Sequence, residues 1–368
     1  MKQTIVIAVT NDLEGDQRVH KVAITLMNNG WAPVVIGRKL RNSKPLSRRY
    51  TTRRFRLWFN RGPVFYLNYN LRLFAYLLFT HVDVITANDL DTLPASFFAA
   101  ILKRKRLVYD AHEYFTGVPE LVDRPAVRKI WRAIEKRLVP HVSAIMTVNE
   151  SIAALYRAQY SHRITVIRNL PLINQPPGIP GHLPEEFTRH PFLLYQGAVN
   201  MGRGLEQLLD AMTLMPGIYL VIVGDGDIKG ELMHQAKQLN LSTRVCFTGR
   251  VSFENLAWYT RQATLGISLE QDIGLNYHYA LPNKLFDYMH AGLPVIASDL
   301  PEIRKVVATV EFGVLIREFS PEFLAETISG ILNNKELLAT WSKNALREAP
   351  NYSWEQESDK LLKLYREL

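Results

Sequence analysis

Short apolar runs alternate with stretches of helical spacing along most of this chain. Residues 4–9, 32–36, 82–87, 106–109, 144–148 and 165–168 read as strands. Between most of them lie segments with apolar residues at helical intervals, Gln17–Asn28 and 126–138 among them. This is the βαβ rhythm of a doubly wound parallel sheet. Residues 174–191, with QPPGIPGHLPEEF at their centre, break every period and read as a linker. The rhythm restarts at 192–195 and continues through 219–223, 245–248, 263–268, 294–298 and 313–316. The tail, 353–368, reads as one amphipathic helix carrying Leu361, Leu362, Leu364 and Tyr365, and its pattern leaves open which domain it packs on. The expected organisation is a first α/β domain over 1–173, the linker, a second α/β domain over 192–350 and a C-terminal helix over 351–368. Two such domains in succession suggest a cleft between them as a ligand site.

The most informative segment is 280–302, ALPNKLFDYMHAGLPVIASDLPE. Pro282 sits where a helix would start, because its missing N–H costs nothing at the first helical position. Lys284 falls in that first turn and Asp287 three residues later on the same face. Gly292 and Pro294 stop the helix, and 295–298 reads as a buried parallel strand. A helix N-terminus with a mobile lysine favours phosphate through free N–H groups, dipole and charge. A carboxylate one turn deeper can accept two hydrogen bonds from a vicinal diol such as ribose. The plainer reading is a surface helix with an i,i+3 Lys/Asp pair. The apolar strand right after Gly-Leu-Pro favours the ligand reading, since it puts the helix in a βαβ layer where ligands gather at strand ends.

Asn283 to Met289, followed by Ala291 to Ser298, resembles the donor-nucleotide signature of family 4 retaining glycosyltransferases of GT-B fold. The resemblance implies two Rossmann-like parallel-sheet domains facing each other across a cleft, the first binding the acceptor and the second the nucleotide sugar, with the C-terminal helix crossing back to the first. It implies that Asp287 holds the ribose and that the helix N-terminus, with Asn283 and Lys284, holds the diphosphate. The family's usual Glu-x7-Glu is altered: Asp287 replaces the second Glu, and Tyr279 stands at the first. Glu270 or Asp272, in a rearranged loop that includes Gly274, are the candidate replacements for the donor-sugar contact. Residues 220–227, LVIVGDGD, are similar to the family turn that lines the nucleotide pocket, through Gly224 and Asp225; a simple tight turn is the alternative. Residues 195–205, YQGAVNMGRGL, match the Gly-Arg…Lys-Gly pattern in part. Gly197 is kept, Ala198 replaces the first basic residue, and Arg203 takes the second place, where its fork suits two diphosphate oxygens. Arg250, in FTGRV, corresponds to a base-contacting loop.

In the first half, 108–113, VYDAHE, puts two carboxylates and an imidazole just after a strand, and strand ends face the ligand crevice. A lone histidine is more often structural. The resemblance implies that His112 touches the donor sugar, with Glu113 orienting it or meeting the acceptor. After the first strand the family has a Gly-Gly loop near phosphates and acceptor; here Gly15 remains, and Asp16 is either part of that loop or a helix N-cap. Two Asp-x-Asp strings, 89–91 and 225–227, hold a metal in the other glycosyltransferase fold. In this one no metal or other cofactor is expected, and Asp91 reads as a helix cap. No Walker loop or Gly-x-Gly-x-x-Gly occurs, which argues against a dehydrogenase.

Composition narrows the setting. The 368 residues, 47% hydrophobic and 21% charged, suit two soluble domains. One cysteine, Cys246, excludes an intramolecular disulfide and fits a reducing compartment. The first residues, MKQTIVIAVTND, are too strand-like for a signal peptide, and the best apolar run, 71–79, is broken by Arg72. A cytoplasmic protein, peripheral at the inner face of the membrane, is expected. The net charge of +9 is uneven: ten cations fall between Arg38 and Arg61 with no acidic residue among them, and Trp58, Phe59, Phe65, Tyr66 and Tyr69 interleave or follow. A solvated loop, a nucleic-acid patch and docking to an anionic membrane or phosphorylated acceptor all remain open. The aromatic residues over 38–69 favour the membrane, and no nucleic-acid fold motif accompanies them. The overall expectation is a retaining glycosyltransferase that uses a UDP- or GDP-linked sugar and a carbohydrate or lipid-linked acceptor, for a surface polysaccharide. His112, Arg203 and Lys284 would carry the chemistry. A sugar-nucleotide epimerase of the same architecture and a non-catalytic nucleotide-sugar-binding subunit are the alternatives.

Overall fold

Strands that are apolar throughout need cover on both faces, and the chain supplies it with helices around two parallel sheets. The computed structural model describes residues 2–118, 121, 124–160, 162–174 and 178–368. Residues 175–177 of the expected linker lie outside the described residues. The chain divides into two compact units, Met1–Asn169 with Trp354–Leu368, and Leu170–Ser353.

The first unit holds β1 (Thr4–Ala8), β2 (Ala32–Lys39), β3 (Thr51–Arg56), β4 (Val84–Asn88), β5 (Arg106–Ala111), β6 (Ala144–Thr147) and β7 (Ile164–Val166). Their order is β3-β2-β1-β4-β5-β6-β7, every pair parallel, with Ile5 of β1 level with Pro33 on one side and Val84 on the other. Ile5, Val6, Ile7 and Ala8 are wholly buried at its centre. The second unit holds β8 (Phe192–Gln196), β9 (Tyr219–Val223), β10 (Val245–Gly249), β11 (Leu265–Ser268), β12 (Val295–Ser298) and β13 (Gly313–Ile316), ordered β10-β9-β8-β11-β12-β13 and again all parallel. In each sheet the winding reverses once, between β1 and β4 and between β8 and β11. At such a reversal the loops after the two strands diverge to opposite faces and leave a crevice at the carboxyl ends.

The tail belongs to the first unit. On the helix Trp354–Arg366, Trp354 Nε1 donates to Thr25 Oγ1 at 2.9 Å, and the Tyr365 and Thr86 hydroxyls are 2.7 Å apart. The wholly buried Glu357 accepts from Arg168 through its main-chain N–H and its Nε, both at 3.0 Å.

The basic stretch is more ordered than a loop. Residues 51–56, TTRRFR, form the edge strand β3, with Phe55 turned inward and arginines at the rim, a composition that discourages further strand pairing. Sequence periodicity missed it because a single apolar residue carries the inward face. The following helix, Gly62–Phe79, buries Phe65, Tyr69, Leu73 and Leu77, yet leaves Leu67 and Leu71 each 59% exposed. Among the described residues no helix is long and apolar enough to cross a membrane.

Candidate functional site

The reversal between β8 and β11 gathers three charged side chains in the second unit. Glu270 follows β11, Arg203 comes from the loop after β8, and Lys284 from the first turn of the helix Asn283–Ala291. Lys284 Nζ donates to Glu270 Oε1 at 2.8 Å, Arg203 Nη1 reaches the same oxygen at 3.4 Å, and Ser268 Oγ donates to Oε2 at 2.6 Å. The Lys284 ammonium lies 4.1 Å from the centre of the Tyr195 ring, and the Arg203 guanidinium 4.6 Å from that of Tyr277. Burial opposes ionisation of Glu270, but Lys284 and then Arg203 outweigh it and hold the carboxyl below its ordinary range. Burial pulls the Lys284 ammonium down to about 8 although Glu270 supports its charge. Two cations against one carboxylate leave a net positive site. The buried Arg203 Nε finds no hydrogen-bond partner among the described residues.

Several expectations change here. Lys284 is buried and paired rather than mobile at the surface, because the helix start is pressed against the end of β8. Pro282 lies one place before the helix and supplies no side-chain cap; its carbonyl accepts from the Leu285 N–H at 3.1 Å, and no capping side chain offsets the helix dipole at this end. Glu270 is wholly buried and both of its oxygens meet protein donors, so in this structure it balances the two cations. Asp272 Oδ2 lies within hydrogen-bond distance of His278 Nδ1, at 2.8 Å.

Asp287, one turn deeper, accepts from Gln196 Nε2 at 2.8 Å, and Gln196 Oε1 in turn accepts from Thr260 Oγ1 at 2.8 Å. It lines a small cavity with Gln196, Leu256, Thr260 and His290. Lys284 and Asp287 therefore flank the same strand end, against Gly197 and Gln196 respectively. Gly224 (φ 150°) explains itself: a Cβ there would lie 1.8 Å from the Gly197 carbonyl oxygen, so the ends of β8 and β9 close up only with glycine. Asp225 ties these loops together, its carbonyl accepting from the Val199 N–H at 3.1 Å. Arg250, past β10, and Asn283 are exposed, and Gly274 opens the short turn Leu275–His278.

In the first unit, Asp110 near the end of β5 is gripped by Arg18 from the helix Gln17–Asn28. Arg18 Nε meets Oδ2 at 3.0 Å and Nη2 meets Oδ1 at 2.6 Å, while Nη1 donates to the Ile167 carbonyl at 2.6 Å. Both are buried; burial works against the Asp110 charge, but Arg18 and His112 hold its carboxyl well below the usual range. His112 Nε2 lies 3.1 Å from Asp110 Oδ2 and 2.9 Å from Asn88 Oδ1, and its main-chain N–H donates to Asp89 Oδ1 at 2.9 Å. Burial disfavours its imidazolium, yet Asp89 and Asp110 raise the ring to about 9.

Asp91 is not a cap. It is the third residue of the helix Asp89–Lys103, whose N-cap position is Asn88, and it accepts from Thr10 Oγ1 at 2.7 Å. Burial, then repulsion from Asp89, pushes its carboxyl up to about 7. Asp16 does cap the helix Gln17–Asn28, accepting from the Val19 N–H at 3.0 Å. Gly15 beside it is exposed, with open space beyond its Cα. Glu113, half-buried, follows His112. Arg18 and Asn88 were not singled out from the sequence, and Asp89 was weighed only as part of an Asp-x-Asp string. For Arg18 a signal existed: an arginine on the helix face of Val19, Val22 and Leu26 is buried, and a buried arginine needs a carboxylate.

Comparison with known proteins agrees with this architecture. Residues 184–348 match the family model of glycosyl transferases group 1, and residues 16–170 match that of glycosyltransferase family 4. A sucrose-phosphate synthase from Thermosynechococcus elongatus superposes with a TM-score of 0.79 at 21% identity, over 100% of this chain and 99% of that one. Anabaena HepE, solved with UDP and glucose, superposes with a TM-score of 0.75 at 17% identity, over 100% of both chains. A chitobiosyldiphosphodolichol beta-mannosyltransferase of Candida albicans is 24% identical over 148 residues, 38% of this chain and 31% of its own. The chain thus spans less than half the length of that relative, and 48% of an uncharacterized glycosyltransferase of Methanocaldococcus jannaschii that is 26% identical over 177 residues, 48% of this chain. With one family match on each unit and the fold common to both, the chain belongs to the group 1, family 4 glycosyltransferases of GT-B fold.

Proposed function

We propose that the chain is a retaining glycosyltransferase that moves a sugar from a UDP- or GDP-linked donor to a carbohydrate or lipid-linked acceptor, in the making of a surface polysaccharide. The observation that carries this reading is the Arg203–Glu270–Lys284 cluster beside an uncapped helix N-terminus. As the glycosidic bond loosens, charge gathers on the departing diphosphate. Fixed cations and N–H dipoles stabilise that charge without reorganising. Arg203 meets the diphosphate through its guanidinium, Lys284 adds charge, and no divalent metal is needed; loss of turnover in EDTA, restored by magnesium, would oppose that. His112 meets the donor sugar, and a donor phosphate oxygen takes the acceptor proton. The HepE complex with UDP and glucose supports a nucleotide-sugar donor. Retention is tested by NMR of the first product: an α-linked donor should give an α-linked product, and a β-linked one would overturn this part.

Asp287 holds the ribose in this reading, sharing its carboxylate with Gln196. Asp287→Ala then loses charged hydrogen bonds worth ~1.5–3 kcal/mol, or roughly 10–100-fold in nucleotide affinity. Calorimetry on the folded variant checks this, and undiminished affinity would remove Asp287 from the site.

The acceptor is brought by a membrane. Trp58 is 78% exposed beneath Arg72, the β3 arginines lie at the sheet edge, and Leu67 and Leu71 stand out on the next helix. Apolar groups among cations suit an anionic lipid surface at the inner face of the membrane, each arginine near it contributing about 1 kcal/mol. Arg53→Glu with Arg54→Glu and Arg56→Glu should weaken binding to phosphatidylglycerol vesicles roughly 100-fold or more at low salt. Equal binding to neutral and anionic vesicles would exclude this surface.

A further inference from the structure

Asp89 has no part in the roles given so far. It opens the helix Asp89–Lys103 in the left-handed region, φ 58°, which Asp tolerates better than most residues. Held there, its carboxylate turns back onto His112. Oδ1 accepts the His112 main-chain N–H at 2.9 Å, and Oδ2 lies 3.5 Å from ring Nδ1. On the far side of the ring, Asn88 Nδ2 donates to the Ala8 carbonyl at 3.0 Å, which leaves Asn88 Oδ1 facing His112 Nε2 at 2.9 Å. Asp110 Oδ2 faces the same nitrogen at 3.1 Å. Both ring nitrogens therefore look at oxygen acceptors. A neutral imidazole, with one N–H and one lone pair, cannot satisfy both sides.

We propose that Asp89 is a positioning residue that fixes His112, main chain and ring together, as an imidazolium. His112 then offers the donor sugar positive charge and no lone pair, so it cannot serve as the base that activates the acceptor. This rests on the reading of His112 as the residue that meets the donor, but the charge state itself can be measured without any substrate. The charged groups around the ring are Asp89 and Asp91 from one helix, Asp110 from β5, Arg18 from the helix after β1, and Glu113 beyond the ring. Asp89 is the largest single counter-charge to the ring, Asp110 follows, and Arg18 opposes both more weakly. The elevation of His112 to about 9, against the pull of burial, is consistent with that balance.

The test is a two-dimensional long-range proton–nitrogen NMR titration of the full chain labelled with 15N-histidine, the His112 signals being assigned by their loss in His112→Gln. In the unsubstituted protein the ring should stay doubly protonated through pH 8. Asp89→Asn keeps the size, the tolerance of left-handed backbone and the acceptor for the His112 N–H, but removes the charge. Its His112 midpoint should fall by roughly one pH unit or more. Asp89→Gly, which suits the backbone without any side chain, should show the same fall and stands in if Asp89→Asn does not fold. A ring that is neutral at pH 7 in the unsubstituted protein, or an unmoved midpoint in either folded variant, would overturn the proposal. If no nucleotide binds while the titration behaves as described, the transferase reading fails and the role of Asp89 stands.

Discussion

Replacing Lys284 by alanine is expected to lower nucleoside-diphosphate affinity by roughly 100-fold or more and to cost the second unit about 3–5 kcal/mol of stability. The two losses have different causes. Binding falls because one of two cations facing the diphosphate is gone, and a charge-assisted hydrogen bond in a partly dry site is among the stronger single contacts. Stability falls because Glu270, wholly buried, keeps only Arg203 and Ser268. Removing one partner of a buried pair leaves an uncompensated charge, whereas removing both is far milder. Lys284→Met combined with Glu270→Gln should therefore regain most of the stability, the methionine covering Tyr195, while binding stays lost. Denaturant unfolding and calorimetry separate the effects, and full affinity in a folded Lys284→Ala would contradict the assignment.

The same lysine gives a pH signature. Its ammonium is lowered to about 8, first by burial. A bound diphosphate favours the charged form, so binding above pH 8 takes up a proton. The calorimetric heat should then vary with the ionisation enthalpy of the buffer at pH 8.5, and a heat independent of buffer would speak against contact between Lys284 and the phosphates.

Arg18→Met should be the most damaging substitution in the first unit, at about 3–5 kcal/mol near neutral pH. It strips the bidentate partner from Asp110, which is buried beside Asp89 and Asp91. With Arg18 present, Asp110 is held below the ordinary carboxylate range, so its stabilising effect is present above that range and is lost only as the pH falls beneath it. Without Arg18, only His112 opposes burial, which pushes the folded-state carboxyl of Asp110 up. The unfolded chain then gives up its proton first as the pH rises, so the destabilisation grows between about pH 4 and 7. Unfolding curves at pH 5 and pH 8 check the sign; an equal or smaller loss at pH 8 would contradict it.

The parts of the molecule legible in the sequence are those written locally. Continuous apolar runs announced most strands, and Asn283 to Ser298 announced its helix and the strand after it. Other features were hidden for stated reasons. Strand β3 carries its inward face on Phe55 alone, so its arginines outweighed its pattern. Arg18 and Asp110 are 92 residues apart, and Arg203 and Glu270 are 67 apart. Such pairs meet because of the strand order around the two reversals, which periodicity does not encode. Glu270 had been weighed as a sugar contact because an acidic residue near that place was expected. Its burial and its pairing with Lys284 and Arg203 were not legible in the sequence.

Calorimetric titration of the unsubstituted chain with UDP and with GDP tests the central claim, that the Arg203–Glu270–Lys284 cluster with Asp287 is a nucleoside-diphosphate site. Saturable binding of one of the two, weakened in Lys284→Ala and in Asp287→Ala, is the expected result. Absence of binding to both, or binding that neither substitution weakens, would contradict it.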